Sequence, residues 1–366
     1  MTAGPVGVAL IGAGTISAAY LTNLTAFPDL QVLMVSDLDL TRAATQAAEY
    51  GIPASGTVAD LLADPAIEVV VNLTIPAAHV EVGLAALDAG KHVWAEKPLA
   101  LDRPSARKLL DSARERGLRV ASAPDTVLGA GLQTARRAVD AGRIGVPDTA
   151  LALFQSSGPE SWHPAPEFLF QMGAGPLLDM GPYYLTELVQ LMGPVRQVSA
   201  SGSRTRKTRV IGSGPRAGVE FAVTVPTTVT ALVEFAGGGT AQAMFSFDSA
   251  LRRTLIEVAG TLGTLVLPDP NRFDGASQLH LLGAGEPVEL PAEGHRATRG
   301  TGVLELARSI RAGVPERASG ELAYHVLDVM LAIEESLAAR QTVPVESTVA
   351  VPPPLPVGWD PYARTL

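Results

Sequence analysis

A lysine stands between a glutamate and a proline in HVWAEKPLAL, His92 to Leu101, at the tip of an apolar run. The chain has only four lysines, Lys91, Lys97, Lys108 and Lys207, against many arginines. A buried ammonium falls in pKa and can trade a proton near neutral pH, whereas a guanidinium stays protonated. Lys97 is therefore the first candidate for acid–base chemistry. Asp179 and Tyr183, in GAGPLLDMGPYY, are four residues apart and share a face of one helix. A phenol has a pKa of ~10 and needs a nearby cation before it can act as a base. Tyr184 is the rival to Tyr183, with core packing as its other reading.

A second constellation holds an anion. GAGTIS, Gly12 to Ser17, follows an apolar run and opens a helical pattern. Gly12 permits a tight turn, and Gly14 leaves room for a pyrophosphate at the helix N-terminus, beside Thr15 and Ile16. Ser17 stands where a third glycine is usual. Asp37 ends the next run, where a carboxylate accepts both hydroxyls of an adenosine ribose and repels a 2′-phosphate. NAD is expected over NADP, with nearby Arg42 pulling the other way. NLTIPAAH, Asn72 to His79, brings Thr74, Pro76 and His79 to the same crevice. His79 reads equally as a ligand contact and as a surface or capping histidine.

Each of these residues needs an element to place it. Residues 6–123 alternate apolar runs (6–12, 31–37, 68–74, 92–96, 118–123) with helical stretches (15–26, 41–50, 57–63, 77–89, 103–116). Runs of unbroken apolar character between helices predict a parallel sheet covered on both faces. Beyond residue 124 a helix near 127–142, a strand at 149–156 and a helix at 176–193 lead into strand after strand from 195 to 290. Alternation there predicts an open, largely antiparallel sheet. Two helices follow, near 303–312 and 320–339. The expected class is α/β, with a dinucleotide-binding doubly wound domain over 1–124 and a substrate-binding and oligomerisation domain over 125–366.

Composition narrows the partners. The 366 residues are 47% apolar and 18% charged, carry a net charge of −9 and contain no cysteine. An acidic chain without a basic stripe argues against nucleic acid. Thiolate chemistry and disulfides are excluded. The six histidines are scattered, without ligand-like spacing, and no metal is expected. The N-terminal apolar run is too short for a signal peptide or membrane span, which predicts a cytoplasmic protein. SRTRKTRVIGSGPRAG (203–218), with five basic residues, reads as a solvated loop.

GAGTIS, NLTIPAAH, AEKPLAL and GAGPLLDMGPYY together resemble the Gfo/Idh/MocA oxidoreductases, from residue 6 to about residue 340. The resemblance implies hydride transfer between a nicotinamide and a carbon of a sugar, polyol or cyclitol. It implies that Lys97, with Glu96 beside it, adjoins the nicotinamide, and that Asp179 and Tyr183 complete the site. Many members carry histidine at the position of Tyr183. The tyrosine resembles a subset that includes glucose–fructose oxidoreductase, and Lys97 is then the cation that lowers its pKa. Trp162 and His163 fall on a loop that the family places over the nicotinamide side. His163 either supplies the displaced imidazole to substrate or only packs the loop. Asp125 and Thr126 hold substrate hydroxyls or cap the following helix. Two further functions share the pattern: a redox–elimination glycosidase with bound NAD, and a non-enzymatic NAD-binding sensor. The family usually pairs its open sheets face to face, so a homodimer or homotetramer is expected.

Overall fold

The structure is a computed structural model and describes residues 4–366. Two compact units are present. The first comprises Met1–Ala130, Glu293–Tyr324 and Pro352–Leu366; the second comprises Gly131–Ala292 and His325–Val351. The units are thus not two continuous halves divided at 124/125, because two later segments return to the first.

The first unit is built on β1 (Val6–Ile11), α1 (Ser17–Leu24), β2 (Leu30–Ser36), α2 (Leu40–Glu49), β3 (Ala54–Gly56), α3 (Val58–Ala63), β4 (Val69–Asn72), α4 (His79–Asp88), β5 (His92–Ala95), α5 (Arg103–Glu115) and β6 (Val120–Ser122). The six strands are parallel in the order β3-β2-β1-β4-β5-β6. Every residue of β1 and β4 is buried, as continuous apolar strands between two helical layers require. The edge strand β3 is short and half-exposed, with no apolar run to announce it. The direction of winding reverses between β1 and β4, where a doubly wound sheet opens its ligand crevice.

The second unit begins with most of α6 (Ala130–Asp140). Then come β7 (Pro147–Gln155), α7 (Gly175–Met192), β8 (Val195–Ser203), β9 (Thr208–Val210), β10 (Glu220–Ala222), β11 (Thr228–Phe235), β12 (Thr240–Ser246), β13 (Arg253–Gly260), β14 (Gly263–Val266), β15 (Ser277–Leu281) and β16 (Val288–Leu290). After α8 (Thr301–Ala312), α9 (Gly320–Ala339) leads to β17 (Val343–Pro344). Nine strands form one sheet in the order β16-β15-β14-β13-β7-β12-β11-β8-β17, antiparallel except for β12 beside β7. α7 packs on β7, β11 and β12. Strand alternation puts Val229, Ala231 and Val233 of β11 inside and Thr230 and Leu232 outside.

Most of the basic stretch 203–218 is exposed, as a solvated loop predicts, but Arg209 departs from that reading. The stretch contributes β9, which pairs with β10, and Arg209 is buried. Its guanidinium contacts Glu160 and Asp248, donates to Phe247 O at 3.0 Å, and lies 5.0 Å over the Phe170 ring. Two carboxylates and a carbonyl offset the desolvation of the Arg209 guanidinium, which sequence spacing alone does not reveal.

In the first unit α8 presses on β5. A Cβ at Gly302 would come within 2.0 Å of the Trp94 ring, so only glycine allows this approach. The C-terminal segment is held by Asp29, which accepts from Thr365 N at 2.8 Å and from Arg308 Nε at 2.8 Å. None of the helices among the described residues is long and apolar enough to cross a membrane.

Candidate active site

The glycine turn has the geometry of an anion cradle. Gly12 adopts φ +106°, and a Cβ there would meet Leu73 O at 2.6 Å. Gly14 has open space where its side chain would be, and Thr15 and Ile16 are exposed beside it. Ser17 is buried and donates its hydroxyl to Gly14 O at 2.7 Å, which closes the turn onto α1. Serine thus replaces the third glycine by pinning the turn. Ser17 N and Ala19 N donate to Gly14 O and Ile16 O, and the turn presents the positive dipole end of α1, which suits a pyrophosphate.

Asp37 follows β2. Its carboxylate accepts from Ala13 N at 2.7 Å and from Asp39 N at 2.8 Å, so the glycine turn and the acid are locked together. Arg42 stands 3.8 Å away and is half exposed. Leu38 is fully exposed next to the acid, and Ile75 is exposed beyond β4. A bare apolar side chain next to the acid suits the face of a purine. Leu38 escaped the sequence reading because a single apolar residue after a strand carries no periodic signal. These features fit a dinucleotide.

On the other side of β1 lies a bonded circuit. Asn72 ends β4 and is fully buried. Its Oδ1 accepts from Thr74 Oγ1 at 2.6 Å, and its Nδ2 donates to His79 O at 3.0 Å. Pro76 opens the short turn before α4 and is half-buried. His79 is fully buried, so the surface reading fails. Both ring nitrogens face backbone carbonyls, Nδ1 that of Pro98 at 2.7 Å and Nε2 that of Thr74 at 3.0 Å. The ring is engaged by the protein on both edges, through the loops that follow β4 and β5.

Register aligns Ile11, Asn72 and Ala95 across β1, β4 and β5. Glu96 and Lys97 therefore leave the sheet on the same edge as the glycine turn, and both are half-buried. Glu96 holds the loop: Oε1 accepts from Tyr20 OH at 2.8 Å and Oε2 from Lys97 N at 3.0 Å. Trp94 Nε1 donates to the same phenol oxygen at 3.1 Å. Burial, then the charge of Glu96, raises the pKa of Tyr20 well above the phenol range, so it stays a donor. Tyr20 was missed because its helical spacing reads as core.

Asp125 is fully buried at the end of β6. It accepts from Gly300 N at 2.8 Å and Gly302 N at 3.3 Å and pairs with Arg299 at 3.3 Å. It caps α8 from outside, not the helix that follows it in sequence, and its carboxylate faces protein partners. Burial raises its pKa despite Arg299. Thr126 is also fully buried, its hydroxyl without a hydrogen-bond partner among the described residues.

The second unit carries the remaining residues. Asp179 and Tyr183 lie one turn apart on α7, Asp179 half-buried and Tyr183 buried. Tyr184 is fully buried between the edges of Phe154 and Phe245, and burial pushes its hydroxyl up out of any titrating range. Trp162 is exposed, with its ring 5.5 Å from that of His163, which in turn lies 5.5 Å from Phe168. His163 Nδ1 accepts from Ala165 N at 3.0 Å, so a neutral ring carries its proton on Nε2.

Residues 6–123 match the family described as oxidoreductase family, NAD-binding Rossmann fold, and residues 132–266 match the GFO/IDH/MocA C-terminal domain. The chain belongs to the Gfo/Idh/MocA oxidoreductases. It is 30% identical to trans-1,2-dihydrobenzene-1,2-diol dehydrogenase of Oryctolagus cuniculus, over 71% of this chain and 75% of that protein. It is 27% identical to 1,5-anhydro-D-fructose reductase of Ensifer adhaerens, over 92% of this chain and 98% of the reductase. A solved NAD-binding oxidoreductase from Klebsiella pneumoniae superposes with a TM-score of 0.83 at 25% identity, covering 93% of this chain and 99% of the other.

Proposed function

We propose that the protein transfers a hydride between NAD and a secondary alcohol or ketone of a sugar, polyol or cyclitol. One observation carries the reading: Glu96-Lys97-Pro98 leaves the sheet on the edge that bears the Gly12–Ser17 turn, with the Thr74 loop between them. A bound nicotinamide supplies the hydride acceptor or donor. Asp37 holds the ribose hydroxyls and disfavours a 2′-phosphate, and Gly12, Gly14, Thr15 and Ile16 cradle the pyrophosphate. Thr74 and Pro76 flank it. Lys97 takes or returns the proton of the reacting hydroxyl. Tyr183 shares that proton, Asp179 orients the hydroxyl or Lys97, and Trp162 and His163 contribute from their loop.

The named relatives are a dehydrogenase and a reductase, which favours net redox turnover over a redox–elimination glycosidase or a sensor. The direct test is a screen of sugars, polyols and cyclitols with NAD and NADP, read by cofactor absorbance. Reduction of NAD by a cyclic alcohol is expected. Tight NAD binding with no reduction by any alcohol, and no oxidation of NADH by any ketone, would overturn the reading.

The same reading includes a homodimer or homotetramer. On the sheet face opposite α7, register sets Leu153 beside Met244 and Leu255, all half-buried, and Leu232 is exposed nearby. An apolar sheet face of this kind is suited to cover by a second copy. Light scattering that returns a single-chain mass at micromolar concentration would remove this part.

A further inference from the structure

We infer that His79 is a positioning residue that fixes Lys97 through the carbonyl of Pro98. The inference rests on the reading of Lys97 as the proton-transferring group. His79 opens α4, and its ring stands between the loops that leave β4 and β5. It is fully buried, with Pro98 O 2.7 Å from Nδ1 and Thr74 O 3.0 Å from Nε2. Both partners are acceptors. A neutral imidazole has one N–H, so it donates to one carbonyl only, while an imidazolium donates to both. Burial holds the ring below its usual basicity. The neutral ring therefore holds the closer carbonyl, Pro98 O, through Nδ1–H.

That carbonyl belongs to the residue directly after Lys97. The preceding residue is fixed as well, since Glu96 N donates to Asn72 O at 2.9 Å and Glu96 Oε2 accepts from Lys97 N. Lys97 is thus pinned on both sides along the chain, by Glu96 before it and through the carbonyl of Pro98 after it. Asn72 completes the frame by donating to the backbone of His79 itself at 3.0 Å. Proton transfer depends on placing the amine to within a fraction of an ångström, and an error of about 1 Å can cost on the order of a hundredfold in rate.

Two conservative variants separate the two arms. An asparagine amide nitrogen superposes on Nδ1 and keeps the Pro98 contact; a glutamine amide nitrogen reaches the place of Nε2 and keeps the Thr74 contact. His79→Asn, His79→Gln and His79→Leu are compared for NAD affinity, for kcat with trans-1,2-cyclohexanediol and NAD, and for the rate of Lys97 acetylation by an N-hydroxysuccinimide ester, read by mass spectrometry. Exposed Lys108 serves as the internal control. His79→Asn is expected to stay within about threefold of wild type in every measure. His79→Gln and His79→Leu are expected to lose about tenfold or more in kcat and to change Lys97 labelling at least about threefold, with NAD affinity and Lys108 labelling nearly unchanged. Wild-type kcat and labelling in His79→Gln, or an asparagine variant as impaired as the glutamine one, would overturn the inference, and this pair decides it even where the leucine variant does not fold. If no alcohol is turned over, the hydride-transfer reading fails, yet the labelling comparison still decides the role of His79.

Discussion

Tyr20 of α1 donates its hydroxyl to Glu96 Oε1 at 2.8 Å, across 76 positions of sequence, and so ties the helix that heads the glycine turn to the strand tip that carries Lys97. Trp94 completes the arrangement by donating to the same oxygen. The phenol acts as a strut between α1 and the loop after β5 at one sheet edge.

Tyr20→Phe removes that strut and leaves Trp94 Nε1 and Glu96 Oε1 short of a partner inside the protein. Loss of a buried hydrogen bond to a charged group is expected to cost about 1.5–3 kcal/mol, measured by urea denaturation. Turnover is expected to fall severalfold. A variant as stable and as active as wild type would mean that Glu96 is held by other means.

Lys97→Met keeps length and burial but removes the exchangeable proton. Turnover is expected to vanish, while NAD affinity changes less than about threefold, because the residues proposed to cradle the pyrophosphate and ribose lie in the turns after β1 and β2. Substantial residual activity would move the proton transfer to another group.

Asp37→Ser deletes the carboxylate that locks Ala13 N and Asp39 N. NAD is expected to bind about tenfold more weakly, and the preference over NADP to narrow, since Arg42 then faces the 2′-position without a competing charge. Titrating both cofactors checks this; an unchanged ratio would show that another residue reads the ribose.

Asp125→Asn tests whether that carboxylate serves the fold or the substrate. It would leave Arg299 facing an amide and weaken the cap on α8. A stability loss of about 2–4 kcal/mol with KM little changed is expected. A large rise in KM at wild-type stability would restore a substrate role.

Glu187 offers a pH signature. Burial on α7 pushes its carboxyl up to about 8, opposed only by the charge of Arg136. The folded state therefore holds a proton that the unfolded chain, with its ordinary value of 4.5, releases earlier. This contribution to stability is complete below the unfolded value and is lost as pH rises through about 8. Glu187→Gln, which cannot ionise, should gain on wild type between about pH 5 and about pH 9, by as much as a few kcal/mol. A melting-temperature gap that stays constant across that range would show that Glu187 is not buried as a neutral acid.

Much of this was legible in the chain. The alternation of apolar runs and amphipathic stretches announced the parallel sheet, and the helix over 320–339 falls where the pattern puts it. The edge strand β3 was not, because three small, half-exposed residues carry no hydrophobic signal. Arg209 read as solvated because its acidic partners lie 49 and 39 positions away. Asp125 read as a cap or a substrate ligand because its true partners, Gly300 and Gly302, lie more than 170 positions ahead.

The sequence by itself determined the class of the protein and the identity of its chemical groups, because period, turn glycines and residue type are local properties that neighbours in the chain settle. Only the tertiary structure decided what each group faces. Whether His79 touches water or two carbonyls, whether Glu96 is free or strutted by Tyr20, and whether Arg209 is solvated or caged all depend on pairings between distant segments. Burial and hydrogen bonding are fixed by those pairings, and no spacing along the chain encodes them.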